Sequence, residues 1–246
     1  IGACALFLTG AIGLLDQSSR LADPPLNLSY ERVSIVNIDA AVRPQVATQL
    51  ASDGAVQYVA GAWRPPMANS LRTTTVKAST TNIAMNVGYT GASPDYFELF
   101  DIRIVRGRPF TPAEAAAGSA VALVSNATAA ALWPGLDPIG QTVEIAVPDG
   151  RSDARLPRGR LQVFGVAEDV SHGAIMDGID ATCVYFVTDV HGPANMALLV
   201  RGRTDDVVPS AVTAAVNRVA PDTPFQLFPM RANVAETAWG FRGISL

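Results

Sequence analysis

One segment near the start of the chain carries the hydrophobic pattern of a strand, a helix and a returning strand. Residues 30–38 alternate between polar and apolar side chains and residues 56–62 are mostly apolar, which predicts two strands. Between them, residues 40–51 place an apolar residue at every fourth position, which predicts a helix with one buried face.

A segment near the other end repeats this order. Residues 197–201 and 223–228 predict strands, and residues 205–219 predict a helix with valines four apart on one face. Two such units, although distant in sequence, fold together as one split βαβ layer whose helices lie on the same face.

The sequence therefore predicts an α+β fold with two lobes. Residues 26–72 and 191–236 are expected to form a ferredoxin-like, porter-like layer, and residues 73–190 an inserted mixed α/β lobe. Within that lobe, residues 142–147 and 161–167 alternate on either side of a polar run, which predicts a hairpin with a long tip.

Two further segments of the inserted lobe have a characteristic composition. Residues 181–187 are apolar on both faces, so this strand is expected to be covered on both sides, with Cys183 buried. Residues 88–91, Gly-Tyr-Thr-Gly, are interpreted as a turn.

Short helices with recognisable start signals lie in the middle of the chain. Ser93 is predicted as N-cap and Pro94 as first residue of one helix. An aromatic flank of that helix is expected to press on a strand at residues 102–105. The flank consists of Tyr96, Phe97 and Phe100.

Two more short helices follow in the sequence. Thr111 and Glu114 have the spacing of a capping box, and Gly118 ends that helix. After one more strand, Asn126 is predicted to cap a helix that ends at Trp133. An indole has only one polar atom, so Trp133 is expected to be buried against the aromatic flank.

The order of motifs across these helices resembles the periplasmic core domain of MacB-type ABC transporter permeases, including the large group of duplicated bacterial permeases of unknown substrate. The resemblance spans Leu26 to Glu236. The chain departs from the family at Phe100 and Asp101, where Leu-Gly is more usual. This departure affects only the expected conformation of the local turn. The motif residues, expected to be structural, are Ser93, Pro94, Tyr96, Phe97, Gly107, Arg108, Phe110, Asn126, Trp133, Pro134, Gly135, Asp137, Pro138, Gly140, Gly165 and Asp169.

The resemblance implies a non-catalytic extracytoplasmic domain that couples the movement of membrane helices to export, a role called mechanotransmission. It implies no cofactor, and a location on the periplasmic side of the bacterial inner membrane. The implied partners are the membrane, the rest of the permease, a cytoplasmic ATPase domain or subunit, a second permease copy and a periplasmic adaptor. A membrane-tethered ligand-binding or sensor domain is the alternative, and a hydrolase is a third hypothesis.

The first fifteen residues contain no charge. They are fewer than the ~20 residues that cross a bilayer as a helix, so residues 1–20 are interpreted as a truncated transmembrane helix with its exit. Residues 237–246 are expected to lead into the next membrane helix. A signal-peptide core and a buried soluble helix are the alternatives for the first segment. If both ends meet one membrane face, Asp16 and Ala238 are expected at the same pole.

Composition excludes several classes of function. A formal net charge of −4 and a pI near 5.1 argue against binding of nucleic acid, which uses a clustered basic surface. Two cysteines, Cys4 and Cys183, are too few for a disulfide framework. Lys77, the single lysine, stands outside any phosphate-binding loop motif, so hydrolysis of ATP through such a loop is not expected.

Candidate reactive residues are sparse. His172 has Ser and Asp neighbours in sequence, but the members of a catalytic triad normally come from separate elements, which favours a polar loop over a hydrolase site. A metal site from His172, Cys183, Asp189 and His191 lacks a chelating spacing, and no metal is predicted.

Four arginines and three tryptophans are candidate binding residues. The arginines at positions 151, 155, 158 and 160 are typical of a solvated hairpin tip, the alternative being a site for an acidic partner or lipid headgroups. Trp63, Trp133 and Trp239 are interpreted as anchors of the core or of the lobe boundary, the alternative being a ligand cage.

Overall fold

The computed structural model describes residues 27–66, 72–146, 155–157, 159–171, 181–192, 194–232 and 234. The predicted membrane segments, the closeness of Asp16 and Ala238, and the interpretations of Cys4, Arg151, Arg158, His172 and Trp239 lie outside the described residues. In the described ranges, no helix combines the length and the apolar character needed to cross a membrane.

The described residues form five helices and eleven strands, and all the strands belong to one sheet. The strands are β1 (Val33–Ile38), β2 (Val56–Ala62), β3 (Thr73–Ala78), β4 (Ala84–Ala92), β5 (Ile104–Gly107), β6 (Val121–Ser125), β7 (Thr142–Ala146), β8 (Arg160–Ala167), β9 (Cys183–Val187), β10 (Ala197–Gly202) and β11 (Phe225–Pro229). The helices are α1 (Arg43–Ala51), α2 (Tyr96–Leu99), α3 (Pro112–Ala117), α4 (Asn126–Leu132) and α5 (Val207–Val219). The predicted α+β class is confirmed.

Both ends of the chain meet in one part of the sheet. The strands run in the order β11-β1-β10-β2 with antiparallel pairing throughout, so β10 lies between the first two strands of the chain. Helices α1 and α5 bury their apolar faces against β1, β2 and β10. This is a split βαβ arrangement, and the strand–helix–strand units predicted at the two ends are present. The division of the whole chain into two lobes stays a prediction.

Six other strands close into a ring. They are hydrogen-bonded in the order β4-β3-β7-β8-β6-β9, and β9 pairs with β4 in parallel to complete the circle. The predicted hairpin of β7 and β8 is confirmed, with Val143 opposite Leu161. Buried side chains from all six strands gather in one cluster, the ring core. It consists of Val76, Ala78, Val87, Tyr89, Ala122, Val124, Ala129, Leu132, Trp133, Val143, Leu156, Leu161, Val163, Val166, Val184 and Phe186.

A second cluster, the central core, joins the ring to the strands from the chain ends. Strand β9 separates the two cores: Cys183 and Tyr185 belong to the central core, and Val184 and Phe186 to the ring core. This confirms that β9 is covered on both faces and that Cys183 is buried. The central core consists of Val33, Ile35, Ala60, Ala62, Ala92, Tyr96, Phe97, Leu99, Phe100, Ile102, Phe110, Val121, Leu123, Ala167, Val170, Cys183, Tyr185, Ala197, Leu199 and Met230.

Two predicted N-caps are wrong. Helix α2 begins after Asp95, its N-cap, while the Ser93 hydroxyl instead accepts a hydrogen bond from the Gly61 amide of β2 at 2.9 Å. Helix α4 is capped by Ser125 rather than Asn126. Ser125 ends β6 in the extended conformation that an N-cap needs, and its hydroxyl accepts a bond from the Thr128 amide.

Two predicted elements are also corrected. Residues 88–91 are not a turn but part of β4. The glycine at position 91 serves packing instead, because a Cβ there would lie 2.2 Å from the Trp63 indole. The strand predicted at residues 102–105 begins at Ile104, because Ile102 still belongs to the turn that ends α2. The capping box of Thr111 and Glu114 and the stop at Gly118 are confirmed.

Trp133 is buried as predicted, with 1% of its surface exposed, but its predicted neighbours are wrong. It belongs to the ring core, whereas Tyr96, Phe97 and Phe100 belong to the central core on the other face of β9. The hydrophobic pattern required burial on both faces of β9 without showing which helix reaches which face. The Trp133 indole N–H has no hydrogen-bond partner among the described residues.

Replacing Trp133 by alanine is expected to lower the free energy of unfolding by about 3–5 kcal/mol, because a large cavity opens in the ring core. Trp133→Phe keeps an aromatic side chain in the ring core and removes the unpaired indole N–H, so it should lower the free energy of unfolding clearly less. Urea denaturation of the purified chain measures both, with the exposed neighbour Leu136→Ala as control. A Trp133→Ala protein as stable as the parent would contradict the buried position.

Candidate functional site

The predicted motif residues 93–110 lie where the central core meets the strands from both chain ends. The Ser93 amide donates to the Gly61 carbonyl at 2.9 Å, and the Ser93 hydroxyl accepts from the Gly61 amide. This two-way bond fixes the chain just before α2 to β2, in the split βαβ part of the sheet. Pro94 lies in the turn that leads into α2, before the N-cap Asp95, so the prediction of Pro94 as first helical residue is wrong.

The aromatic side chains of α2 form the centre of the central core. Tyr96 lies 5.4 Å from Phe97 and 5.1 Å from Phe100, with edge-to-face rings. Phe97 also packs edge-to-face on Tyr185 of β9 at 5.0 Å and lies 6.1 Å from Phe110. Such pairs add to the stabilisation from burial. Burial raises the pKa of Tyr96 and of Tyr185 well above the ordinary value, so both stay neutral.

Helix α2 ends in a Schellman motif. The Ile102 amide donates to the Phe97 carbonyl at 2.8 Å and the Asp101 amide to the Glu98 carbonyl at 3.2 Å. The motif requires a left-handed residue, here Asp101 with φ 56°. This is the position where the resembling family more often has glycine, and the turn forms with aspartate instead.

A buried arginine from the other end of the chain holds this turn. Arg201 of β10 is 6% exposed; its guanidinium donates to the Leu99 carbonyl at 3.0 Å and to the Asp101 carboxylate at 2.8 Å. The hydrogen bond from Arg201 lowers the pKa of Asp101. The carboxylate that replaces the usual glycine therefore has a defined partner, which sequence reasoning missed because Arg201 is 100 residues away.

Two glycines let β5 and β8 approach closely. Gly107 has φ 70°, and a Cβ there would lie 2.2 Å from the Phe164 carbonyl oxygen. A Cβ on Gly165 would lie 2.4 Å from the Arg108 carbonyl oxygen. The Arg108 guanidinium stacks 4.6 Å from the centre of the Phe164 ring. Any side chain at either glycine would push these strands apart.

The same Arg108 completes the capping box of α3. Its guanidinium donates to both oxygens of Glu114, at 2.9 and 2.6 Å. Glu114 also accepts from the Thr111 amide at 2.9 Å, as the capping box requires. Arg108 first, and then the Thr111 bonds, lower the pKa of Glu114 to about 2.

Helix α4 is tied to two other elements at its first turn. The Asp169 carboxylate, after β8, accepts from the Ala127 amide at 2.7 Å. The Ser125 and Thr128 hydroxyls both accept from the Cys183 amide of β9, at 3.0 and 2.9 Å. Asn126 is an exposed first residue of the helix.

The turn after Trp133 carries the remaining motif residues. Gly135 and Gly140 have φ of 74° and 81°, which glycine adopts without strain. The Asp137 carboxylate accepts from the Ile139 amide at 3.1 Å, and the Pro138 carbonyl from the Gln141 amide at 3.2 Å. Pro134 follows Trp133 directly. The structure thus gives each motif residue a position in packing or turn geometry, and their status as a family signature stays a prediction.

The other candidate residues take part in local contacts. The Arg155 guanidinium lies 5.4 Å from the Trp63 ring and donates to the Asn195 carbonyl, and Arg160 pairs with Glu144. One ring nitrogen of His191 lies 3.3 Å from the Pro44 carbonyl oxygen. Within the described part of the chain, no three His, Cys, Asp or Glu residues group as metal ligands.

Comparison with known proteins adds a family and a fold. A family model described as MacB-like periplasmic core domain matches residues 1–219. No curated protein matches the chain. The chain resembles the crystal structure of the periplasmic region of MacB from Actinobacillus actinomycetemcomitans, with a TM-score of 0.54 at 13% identity, covering 92% of this chain and 99% of that one.

Two further crystal structures share the fold. The extracellular domain of the noncanonic ABC-type transporter YknZ from Gram-positive bacteria has a TM-score of 0.52 at 14% identity, with 80% of this chain and 99% of that chain covered. A domain of a putative permease protein from Porphyromonas gingivalis has a TM-score of 0.53 at 16% identity, with 81% and 91% covered.

The turn at Asp101 generates a prediction about three variants. Asp101→Gly relieves the left-handed backbone but removes the partner of Arg201, and we expect a loss of about 1 kcal/mol, because charged hydrogen bonds contribute more than the strain costs. Asp101→Ala also removes the carboxylate that binds Arg201 but keeps a side chain in the left-handed conformation, so it should be less stable than Asp101→Gly by another ~1 kcal/mol. Asp101→Asn removes only the negative charge, so its stability measures the contribution of that charge. Equal stabilities of the Ala and Gly variants in urea denaturation would contradict the left-handed turn.

The capping box generates a prediction about acid. Because the pKa of Glu114 is lowered from 4.5 to about 2, its contribution to stability is complete above pH 4.5 and is lost as the pH falls toward 2. Glu114→Gln should be less stable than the parent by about 1 kcal/mol at neutral pH. The difference should shrink through that acidic window. Denaturation series at several pH values measure it, and a constant difference down to pH 2 would refute the lowered pKa.

Proposed function

The chain belongs to the MacB-like periplasmic core domain family, the periplasmic domains of ABC transporter permeases, and on this premise we propose that it transmits ATP-driven motion across the periplasmic side of the inner membrane. In this proposal the domain performs no chemistry. ATP is bound and hydrolysed by a cytoplasmic ATPase domain or subunit, and membrane helices carry the resulting movement to the domain.

One observation carries the proposal: the central core is shared by the two chain ends and the middle of the chain. Val33 and Ile35 of β1 and Leu199 of β10 pack in the same cluster as the aromatic flank of α2 and Tyr185 of β9. Force that enters near either chain end therefore reaches the ring through close-packed side chains. Protein interiors are packed as densely as organic crystals and deform little.

Polar contacts supply a second link along the same path. Arg201 of β10 holds the end of α2, and Ser93 holds its beginning to β2. Together with the packing, these bonds favour movement of the end strands and the ring as one body. The remaining permease, a second permease copy and a periplasmic adaptor are the partners that such a movement would act on.

The proposal is tested in the full permease, reconstituted with its ATPase in lipid nanodiscs. Spin labels at two exposed positions, Ser210→Cys on α5 and Ala131→Cys on α4, report the distance between the end strands and the ring; a Cys4→Ser background avoids a third label. We expect this distance to stay unchanged between nucleotide states, while the distance from Ala131→Cys to a label on the ATPase changes.

Phe97→Ala provides the functional counterpart, because it empties the centre of the central core. Hydrolysis of ATP should continue, while the nucleotide-dependent movement at Ala131→Cys is reduced. Phe228→Ala, at an exposed aromatic position, is the control. A domain that stays fixed relative to the ATPase in every nucleotide state would disprove mechanotransmission.

A further inference from the structure

A groove of about 620 Å³ lies beside the turn that follows α4. This volume is typical of sites that take a small molecule or a few side chains of a partner. Its walls include Arg106, Asn126, Ala130, Leu136, Pro138 and Val166.

One residue of the groove lining is an exposed apolar side chain. Among the described residues, three large hydrophobic side chains are exposed: Leu136 at 48%, Val105 at 44% and Phe228 at 41%. Of these three, Leu136 lines the groove. A small molecule inside the groove would leave the outer part of Leu136 in water, whereas a protein segment lying across the groove covers it as well.

Arg106 brings a guanidinium without an ion-pair partner among the described residues to the groove. Its neighbours in sequence are neutralised, Arg103 by Glu168 at 2.8 Å and Arg108 by Glu114 at 2.6 Å. The Arg106 guanidinium has no hydrogen bond or ion pair with any described residue. The groove also holds the Asp137 carboxylate, which is oriented by a hydrogen bond from the Ile139 amide of its own turn and forms no ion pair with Arg106. The groove thus presents an unpaired guanidinium beside the apolar side chains of Leu136 and Ala130.

A β-bulge produces this arrangement. The register of β5 against β8 shifts between Ile104 and Arg106, so Val105 is the extra residue. Bulges redirect side chains and occur preferentially at sheet edges and functional sites. Here the bulge coincides with an exposed valine and an arginine that reaches the groove wall, whereas a regular strand would continue to alternate.

We propose that this groove binds an extended segment of a partner protein in which an apolar side chain stands next to a carboxylate. The apolar side chain lies against Leu136 and Ala130, and the carboxylate pairs with Arg106. The planar guanidinium can bind a carboxylate through two hydrogen bonds, which fixes the direction of the segment. The inference rests on the proposed function only for the compartment, the periplasm, in which the partner is found.

Photo-crosslinking in living cells tests the site on the full permease. The photoreactive residue p-benzoylphenylalanine replaces Leu136 or, as the matched exposed control, Phe228. We expect a protein adduct from position 136 that is absent from position 228. Arg106→Glu should reduce its yield by about tenfold or more, the effect of losing one charged pair, while Arg231→Glu, with the same charge change at another exposed arginine, leaves it unchanged.

Sequencing the crosslinked peptide completes the test. An Asp or Glu beside the crosslinked residue is expected, and its replacement by Lys should restore the adduct in the Arg106→Glu permease. A lipid adduct, an adduct insensitive to Arg106→Glu, or no adduct above the Phe228 control would each overturn the proposal. None of these results depends on nucleotide-driven movement, so failure here and failure of mechanotransmission remain distinguishable.

Discussion

The packing of Tyr96, Phe97 and Phe100 between two parts of the sheet is the interaction on which the rest of the structure depends. Helix α2 is only four residues long, too short to be stable on its own, and it exists because these rings are buried on both sides. Strands from both chain ends supply one wall of their pocket and β9 of the ring supplies another. Between the end strands and the six-stranded ring, the sheet itself is continuous only through the residue pair Ala62 and Ala92 of β2 and β4, so packing around these aromatic side chains contributes much of the connection.

Polar groups around this cluster fix geometry that packing alone leaves open. Apolar burial has no direction, so it cannot determine where α2 begins and ends. Ser93 determines the start through its bonds to Gly61, and Arg201 determines the end through Leu99 and Asp101. Each of these bonds joins residues that are far apart in sequence, and each connects the middle of the chain to a strand built from one of its ends.

These long-range contacts also show what the sequence could predict and what it could not. The strands and helices at both ends, the hairpin of β7 and β8 and the capping box were predictable, because local periodicity and cap spacing decide them. Closure of the ring, the side on which Trp133 packs and the partner of Asp101 were not, because they depend on pairing between distant strands. The sequence predicts a turn at Gly91 for the same reason: the contact that requires a glycine there is with Trp63, which follows β2 and is distant in sequence.

The same distinction applies to the candidate sites. Motif residues such as Gly107 and Gly165 serve close backbone approach, and a sequence motif indicates that they matter without showing what they touch. Three arginines, Arg103, Arg106 and Arg108, lie close together in sequence and cannot be told apart from it. The structure distinguishes them, because Arg103 pairs with Glu168 and Arg108 with Glu114, while Arg106 has no such partner. In the proposed function the domain acts on partners through its surface, and the groove offers such a partner the unpaired Arg106 together with the exposed side chain of Leu136.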